Sequence, residues 1–226
     1  MDYHLTIGKE INSDTIEIVY SNVFRKNNEY CGFTILSFNE KIGSKLLRKS
    51  MLKLKRGLSE RCKNEFNEEL DYYWLTRFDQ QKTTKFHRDN APTDSYLILG
   101  YEPTKIESKI LFADYHRFIT ENNIPIEKYY KLYNPIFKDG EEQLTPYIKE
   151  VKYFDKNAYK IVVINNSDLN SDKTLGVLHK AEMITEDLNQ VRIVNSIMLY
   201  LKPIDEPNTM SKEDETKFVE TNEINK

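Results

Sequence analysis

The chain has 226 residues, enough for one domain with a sizeable core. Charged residues make up 31% of it yet the net charge is only −3, and no long basic stripe interleaved with aromatics occurs, which argues against a nucleic-acid partner. The residues after Met1 form no apolar leader and no run approaches ~18 apolar residues, so the sequence reads as soluble and cytoplasmic, without a membrane partner and with Cys31 and Cys62 as reduced thiols.

In chain order, residues 15–20 and 32–37 are rich in β-branched and aromatic side chains and predict short strands. Residues 45–61 combine Lys45, Arg48, Lys49, Lys53, Lys55, Arg56 and Arg61 with Leu46, Leu47, Met51, Leu52, Leu54 and Leu58 at helical spacing. This predicts an amphipathic helix that buries its leucines on a sheet and solvates its lysines; an anion- or RNA-facing helix is the alternative. A strand-rich body spans residues 71–202. Its run 95–101 ends in Tyr101, either an aromatic packed at a strand end or a hydroxyl offered to a ligand.

An insertion, about residues 103–149, opens with a strand over 109–114 and continues with helices over 115–123 and 126–133. It carries Tyr129, Tyr130, Tyr133 and Phe137 between Pro125, Pro135 and Pro146, and either shapes a pocket or packs on the outer wall of the body. Residues 160–164 read as a buried strand and 165–171 as turn material. Across the strand predicted for 190–202, Arg192, Val194, Ser196 and Met198 share a face, placing a cation beside a hydroxyl. Residues 205–226 hold seven acidic residues against three lysines with little to bury, which predicts a disordered tail after one domain over 1–204.

Two of the four histidines stand out. His87 and Asp89 are one residue apart, and on a strand alternate residues share a face about 6.6 Å apart, so both can reach one ion. His179, on a segment where Val177, His179 and Ala181 share a face, supplies a third donor from a separate strand. Two histidines and a carboxylate form the facial set that leaves open positions on non-heme iron. His-x-Asp alone is more often a surface hydrogen bond than a metal site; the β-branched surroundings of His179 favour the metal.

In these features the chain resembles the 2-oxoglutarate and iron(II)-dependent dioxygenases, in particular the prolyl-hydroxylase-like branch, over roughly residues 70–202. The resemblance rests on Trp74, Arg77 and Phe78, then a loop over 79–85, then Phe86, His87 and Asp89. Gly176, Val177, Leu178 and His179 carry its distal part, with a basic residue on the next strand. It implies a mainly β fold with flanking helices, a double-stranded β-helix of the jelly-roll or cupin-like barrel type.

It further implies that His87, Asp89 and His179 are the catalytic metal ligands for Fe(II). Arg192 would hold the distal carboxylate of 2-oxoglutarate, with Ser196 and Tyr101 supplying hydroxyls. O2 and 2-oxoglutarate would be consumed, with release of succinate and hydroxylation of a small metabolite, an amino acid or a peptide side chain. Two departures stand out. The interval from His179 to Arg192 is longer than is common in the family and calls for a bulge or a longer turn, and Phe78 replaces a tyrosine found in many relatives. The alternative reading is a non-oxygenase, cupin-like metal protein or a non-catalytic binding module. Arg192 separates the two, since only a 2-oxoglutarate enzyme needs a buried cation at the site.

Overall fold

Residues 160–165 show how the sequence builds its layers. Every residue of the strand Lys160–Asn165 is buried, because both of its faces are covered. Ile161 and Val163 point to one hydrophobic core, Val162 and Ile164 to another. A strand buried on both sides reads as a continuous apolar run instead of an alternating one. The computed structural model describes residues 3–135, 138–151 and 154–225.

In chain order the elements are β1 (His4–Ile7), α1 (Ser13–Val23), β2 (Phe33–Phe38), α2 (Ser44–Phe66), β3 (Glu68–Asp79), β4 (Ser95–Tyr101) and β5 (Ser108–Ala113). There follow α3 (Tyr115–Glu121), α4 (Ile126–Leu132), α5 (Lys138–Leu144), β6 (Ile148–Glu150), β7 (Lys160–Asn165), β8 (Leu178–Met183), β9 (Ile193–Pro203) and α6 (Lys212–Glu220). A six-stranded sheet runs β1-β2-β7-β4-β9-β3, antiparallel except for the parallel β1–β2 pair; a three-stranded sheet runs β6-β5-β8. The chain is thus built on two β-sheets with flanking helices. No helix among the described residues is long and apolar enough to cross a membrane.

One face of the large sheet carries α1, α2 and α6. Leu47, Met51, Leu54 and Leu58 of α2 join Tyr96, Ile98, Ile161, Val163, Ile197 and Leu199 in the first core. The amphipathic helix expected over 45–61 is therefore present and longer. Gly100 permits its close approach: a Cβ there would lie 2.4 Å from Met51 Sδ. The other face meets the small sheet, where Leu97, Leu99, Val162, Ile164, Val194 and Met198 pack against Ile110 and Phe112. On the far side of the small sheet, Ala113 and Leu178 join Tyr115, Phe118, Tyr129 and Leu144 in a third cluster, built largely from the insertion. The helical part of the insertion packs on this outer side, while its strand β5 faces inward, Ile110 among the residues between the sheets.

A β-bulge sets the phase of β3. Tyr72 pairs with Leu199 and Trp74 with Met198, so the register shifts at Tyr73. Before the shift, Leu70 and Tyr72 face the helices; after it, Trp74 and Phe78 face the small sheet. An extra residue in one strand reverses the face of every side chain beyond it.

Two expectations are corrected. Residues 15–20 are helical. Asn12 caps α1, its side chain accepting from the Thr15 amide at 2.9 Å and from Thr15 Oγ1 at 2.8 Å, and Val19 and Val23 lie one turn apart in the core. Cap and tertiary packing outweigh β-branched propensity here. The acidic tail is not without structure: α6 starts in a capping box between Ser211 and Asp214 and buries Phe218 and Val219. Its acids answer the cations of α2, with Glu215 near Arg56 (3.5 Å) and Glu220 paired with Lys45. Arg48, fully buried, donates to the Val219 and Thr221 carbonyls at 2.8 and 3.0 Å, which pins the end of α6. The basic face of α2 is thus partly covered. Finally, Tyr129 is buried, Tyr130 donates to Asp168 at 2.7 Å, and Tyr133 packs on Phe118; Phe137 lies outside the described residues.

The insertion also contains a pH-sensitive buried group. His116 on α3 is 6% exposed, and its Nε2 has no partner among the described residues. Burial and then the Arg25 cation push its pKa down to about 4, against the opposing charges of Asp114 and Asp168. Its folded pKa lies below the unfolded value, so unfolding takes up a proton between the two. Stability is full above about pH 6.5 and falls toward pH 4, by roughly 3 kcal/mol for this group alone. His179, held down to about 4 as well, acts in the same window. Urea unfolding at about pH 7.5 and about pH 5 should show a smaller acid loss in His116→Phe than in the unaltered chain. An equal loss in both would refute this assignment.

Candidate metal centre

His87 and Asp89 lie in the segment between β3 and β4, and that segment is irregular where a strand was expected. Its inner part nonetheless runs beside β8. The Thr84 amide donates to the Ala181 carbonyl at 2.9 Å, and His87 and His179 form an isolated antiparallel bridge with N–H to O distances of 3.1 and 2.9 Å. This bridge brings the two imidazoles side by side, with ring centroids 4.3 Å apart and planes tilted by 49°. One donor atom from each of His87, Asp89 and His179 falls within 4.8 Å of the others. Asp89 reaches both rings, with Oδ1 at 3.5 Å from His87 Nε2 and Oδ2 at 3.8 Å from His179 Nε2.

Asn166 holds Asp89 in place. Its side-chain oxygen accepts from the Asp89 amide at 2.8 Å and its amide donates to the Asp89 carbonyl at 3.1 Å and to Ser95 Oγ at 2.9 Å. Asn166 is fully buried and follows directly on β7, so the clamp is anchored in the central strand of the large sheet. Asn166→Ala should therefore lower metal affinity by ~10–100-fold, the range for loss of an outer partner of a metal ligand. Isothermal titration with Co(II) checks this; unchanged affinity would remove Asn166 from the site.

The protonation pattern suits metal binding. His87 Nδ1 lies 2.7 Å from the Lys85 carbonyl, which can only accept, so a proton sits on Nδ1, and Nε2 faces the Asp89 carboxylate, where a bound cation would take the place of a proton. Burial works to lower the His87 pKa, but the Asp89 carboxylate and the Lys85 carbonyl outweigh it and leave it raised. Burial also works against the Asp89 anion, and His87, His179 and Arg88 overcome it, so its pKa is lowered. His179, 9% exposed, is pushed down to about 4 by burial, with Asp89 opposing, and is neutral at pH 7. A neutral imidazole beside an ionised carboxylate is what a divalent cation requires.

These residues border a cavity of about 260 Å³ between the two sheets. Leu97, Leu99, Ile110 and Ile164 form its apolar walls, and Trp74, Thr76, Phe78 and Gln80 line it from β3. Ser196 and Tyr101 also line it. The Ser196 hydroxyl accepts from Trp74 Nε1 at 3.1 Å, which leaves its own O–H to donate. Tyr101 is an aromatic at a strand end, edge-on to Phe154 at 5.0 Å, and its side chain also lines the cavity.

Arg192 lies just before β9, brought in by the turn that follows β8, and is 1% exposed. Its guanidinium sits 4.8 Å over the Tyr101 ring and donates to Gln80 Oε1 at 2.6 Å and Ser108 Oγ at 3.1 Å. Nη2 is buried with no partner, and no carboxylate pairs with the guanidinium among the described residues. Burial lowers its pKa, with Tyr101 and Asp79 opposing. Arg77, by contrast, leaves the cavity: it pairs with Glu102 at 3.2 Å among the groups beneath α2.

Sequence reasoning missed Gln80, Asn166 and Lys160. Gln80 continues the period-two series Trp74, Thr76, Phe78 and was readable once the bulge is known. Lys160 heads the buried run of β7, 1% exposed, and donates to the carbonyls of Asp155 and Ala158, the latter at 3.0 Å. Burial, then opposed by Asp155 and aided by Arg192, brings it down to about 8. A lysine opening an otherwise apolar strand was the available signal. Compared with known proteins, the chain matches no family model and no curated protein.

Proposed function

We propose that this protein is a 2-oxoglutarate- and Fe(II)-dependent oxygenase. The observation that carries the reading is a metal-ligand set on the wall of a cavity together with a buried cation packed behind that wall. Two histidines and a carboxylate converge at one part of that wall. Behind the wall residues Gln80 and Tyr101 lies Arg192, which does not itself line the cavity and whose Nη2 has no hydrogen-bond or carboxylate partner among the described residues. An uncompensated buried cation is costly unless an anion completes it, and a guanidinium takes a carboxylate through paired charge-assisted hydrogen bonds. Lys160 adds a second positive charge nearby. A metal protein of the cupin type has no use for that cation.

In this reading the two sheets are the faces of an open double-stranded β-helix. The small sheet contributes His179, the segment beside it His87 and Asp89, and the turn leading into β9 of the large sheet Arg192. His87, Asp89 and His179 hold the iron, which supplies the redox chemistry that couples breakdown of 2-oxoglutarate to hydroxylation. The protein's own part is positional. Asn166 fixes Asp89, the Lys85 carbonyl fixes the His87 tautomer, and Gln80 accepts from Arg192 until a carboxylate replaces it. The apolar walls exclude water. The chemistry is compatible with a small metabolite, an amino acid or a peptide side chain as the group hydroxylated.

The test is succinate formation from 2-oxoglutarate by the full chain with ferrous iron under air. Slow turnover without substrate is expected, abolished by Asp89→Ala. Stoichiometric metal binding without any succinate, across a panel of amino acids and peptides, would favour the non-oxygenase reading.

A further inference from the structure

β3 is the outermost strand of the large sheet, and its free edge passes the mouth of the metal cavity. Thr76 and Phe78 line that cavity, and the Gln80 amide pairs inward with the Arg192 carbonyl at 2.9 Å. In a strand the N–H and C=O of one residue point to the same side, so the backbones of Leu75, Arg77 and Asp79 face outward, open to another strand. The chain's own segment 222–225 occupies part of this edge. The Asn225 amide donates to the Arg77 carbonyl at 2.7 Å, and Asn225 forms an isolated parallel bridge with Phe78. Its side chain donates to Thr76 Oγ1 at 2.7 Å, on the face of the sheet that looks into the metal cavity. The segment is tied at a second point by Arg77 Nη1 on the Asn222 carbonyl, at 2.8 Å. Between it, α6 and β3 remains a second cavity of about 270 Å³. It touches the edge without filling the space beneath.

We infer that this edge docks an extended peptide, which takes the place of residues 222–225 and delivers one side chain toward His87, Asp89 and His179. The geometry is that of strand addition, in which main-chain bonds give affinity and alternate side chains enter pockets. A residue bridged to Phe78 shares the face of Phe78, as Asn225 does. The size of the metal cavity supports a peptide over a free metabolite. At about 260 Å³ it lies below the ~300–1,000 Å³ usual for small-molecule sites. With a dicarboxylate cosubstrate inside, it has room for a side chain and not for a whole second ligand. The inference names the substrate class for the oxygenase reading and rests on that reading for its chemistry, but not for the docking itself.

The docking can be tested without metal or cosubstrate in the full-length protein. Asn225→Pro removes the amide donor and should free the edge, while Asn225→Ala keeps the N–H and should stay close to the unaltered chain. The probe is a synthetic nonapeptide with the sequence of residues 218–226, followed through the single tryptophan, Trp74, which lines the cavity beside the edge. The Pro variant should bind it saturably, at least ~10-fold more tightly than the unaltered chain, a difference of about 1.4 kcal/mol. Amide exchange at Arg77 and Asp79 should slow on binding. Absence of saturable binding by the Pro variant, equal affinities in all three proteins, or protection confined to other strands would each overturn the proposal. Succinate formation, measured on the same preparations, separates the two ideas. Turnover without docking sinks the edge alone, and docking without turnover sinks the oxygenase reading alone.

Discussion

Replacing Asp89 by alanine is expected to raise the apparent Kd for Fe(II) or Co(II) by more than ~100-fold, beyond the ~10–100-fold typical of outer partners. Asp89 is the one anionic member of the triad, and it touches both imidazoles. Its main chain is gripped by Asn166 through two backbone hydrogen bonds that alanine retains, so the segment should keep its path. Loss of affinity would then report the carboxylate and not a collapsed loop. The apo variant should unfold close to the unaltered apo chain, because the carboxylate that is lost is half-exposed and paired only with histidines. The two proteins should part on adding metal. A ligand at 100 times its Kd stabilises the native state by about 2.7 kcal/mol, so the unaltered chain gains several degrees in Tm and Asp89→Ala gains little. Calorimetry with and without Co(II) makes the comparison. An equal gain in both would mean that the metal binds elsewhere.

Much of this site was legible in the sequence because its signals are local. His87 and Asp89 sit two residues apart, and His179 and Arg192 are rare residue types among β-branched neighbours. Their convergence owes less to the predicted strands: only His179 lies on one, and His87 reaches it from an irregular segment through a single isolated bridge. The less legible parts depend on long-range physics. The phase of β3 hangs on one extra residue, Tyr73, and a bulge leaves no mark in composition. Nothing local says that Asn166 turns back to hold Asp89 across 77 positions. Residues 15–20 and the acidic tail misled for a shared reason: propensity and charge were weighed before partners were known. Asn12 caps the first, and Arg48, Lys45 and Arg56 of α2 receive the second. The acids stay largely exposed; what the tail buries is Phe218 and Val219, with Glu215 and Glu220 answering two cations of α2.

Arg192→Ala should raise the 2-oxoglutarate requirement by ~10–150-fold, the equivalent of the ~1.5–3 kcal/mol carried by hydrogen bonds to a charged group, while metal affinity changes little. The two effects are separable because Arg192 belongs to a different set of contacts. Its partners are Gln80, Ser108 and the Tyr101 ring, whereas the metal ligands lean on Asn166 and the Lys85 carbonyl. Truncation leaves Gln80 and Ser108 without their donor and opens a void, so some loss of Tm is expected. Arg192→Lys provides the control. It restores the charge and much of the volume but not the planar fork, so it should recover stability more fully than it recovers the cosubstrate KM. The measurement is succinate formation against 2-oxoglutarate concentration for the three proteins, with Co(II) titration alongside. If metal and cosubstrate are lost in parallel, and lysine restores both in parallel, Arg192 serves the fold. The cation would then be a structural filler between the sheets, and the case for 2-oxoglutarate would lose its main support.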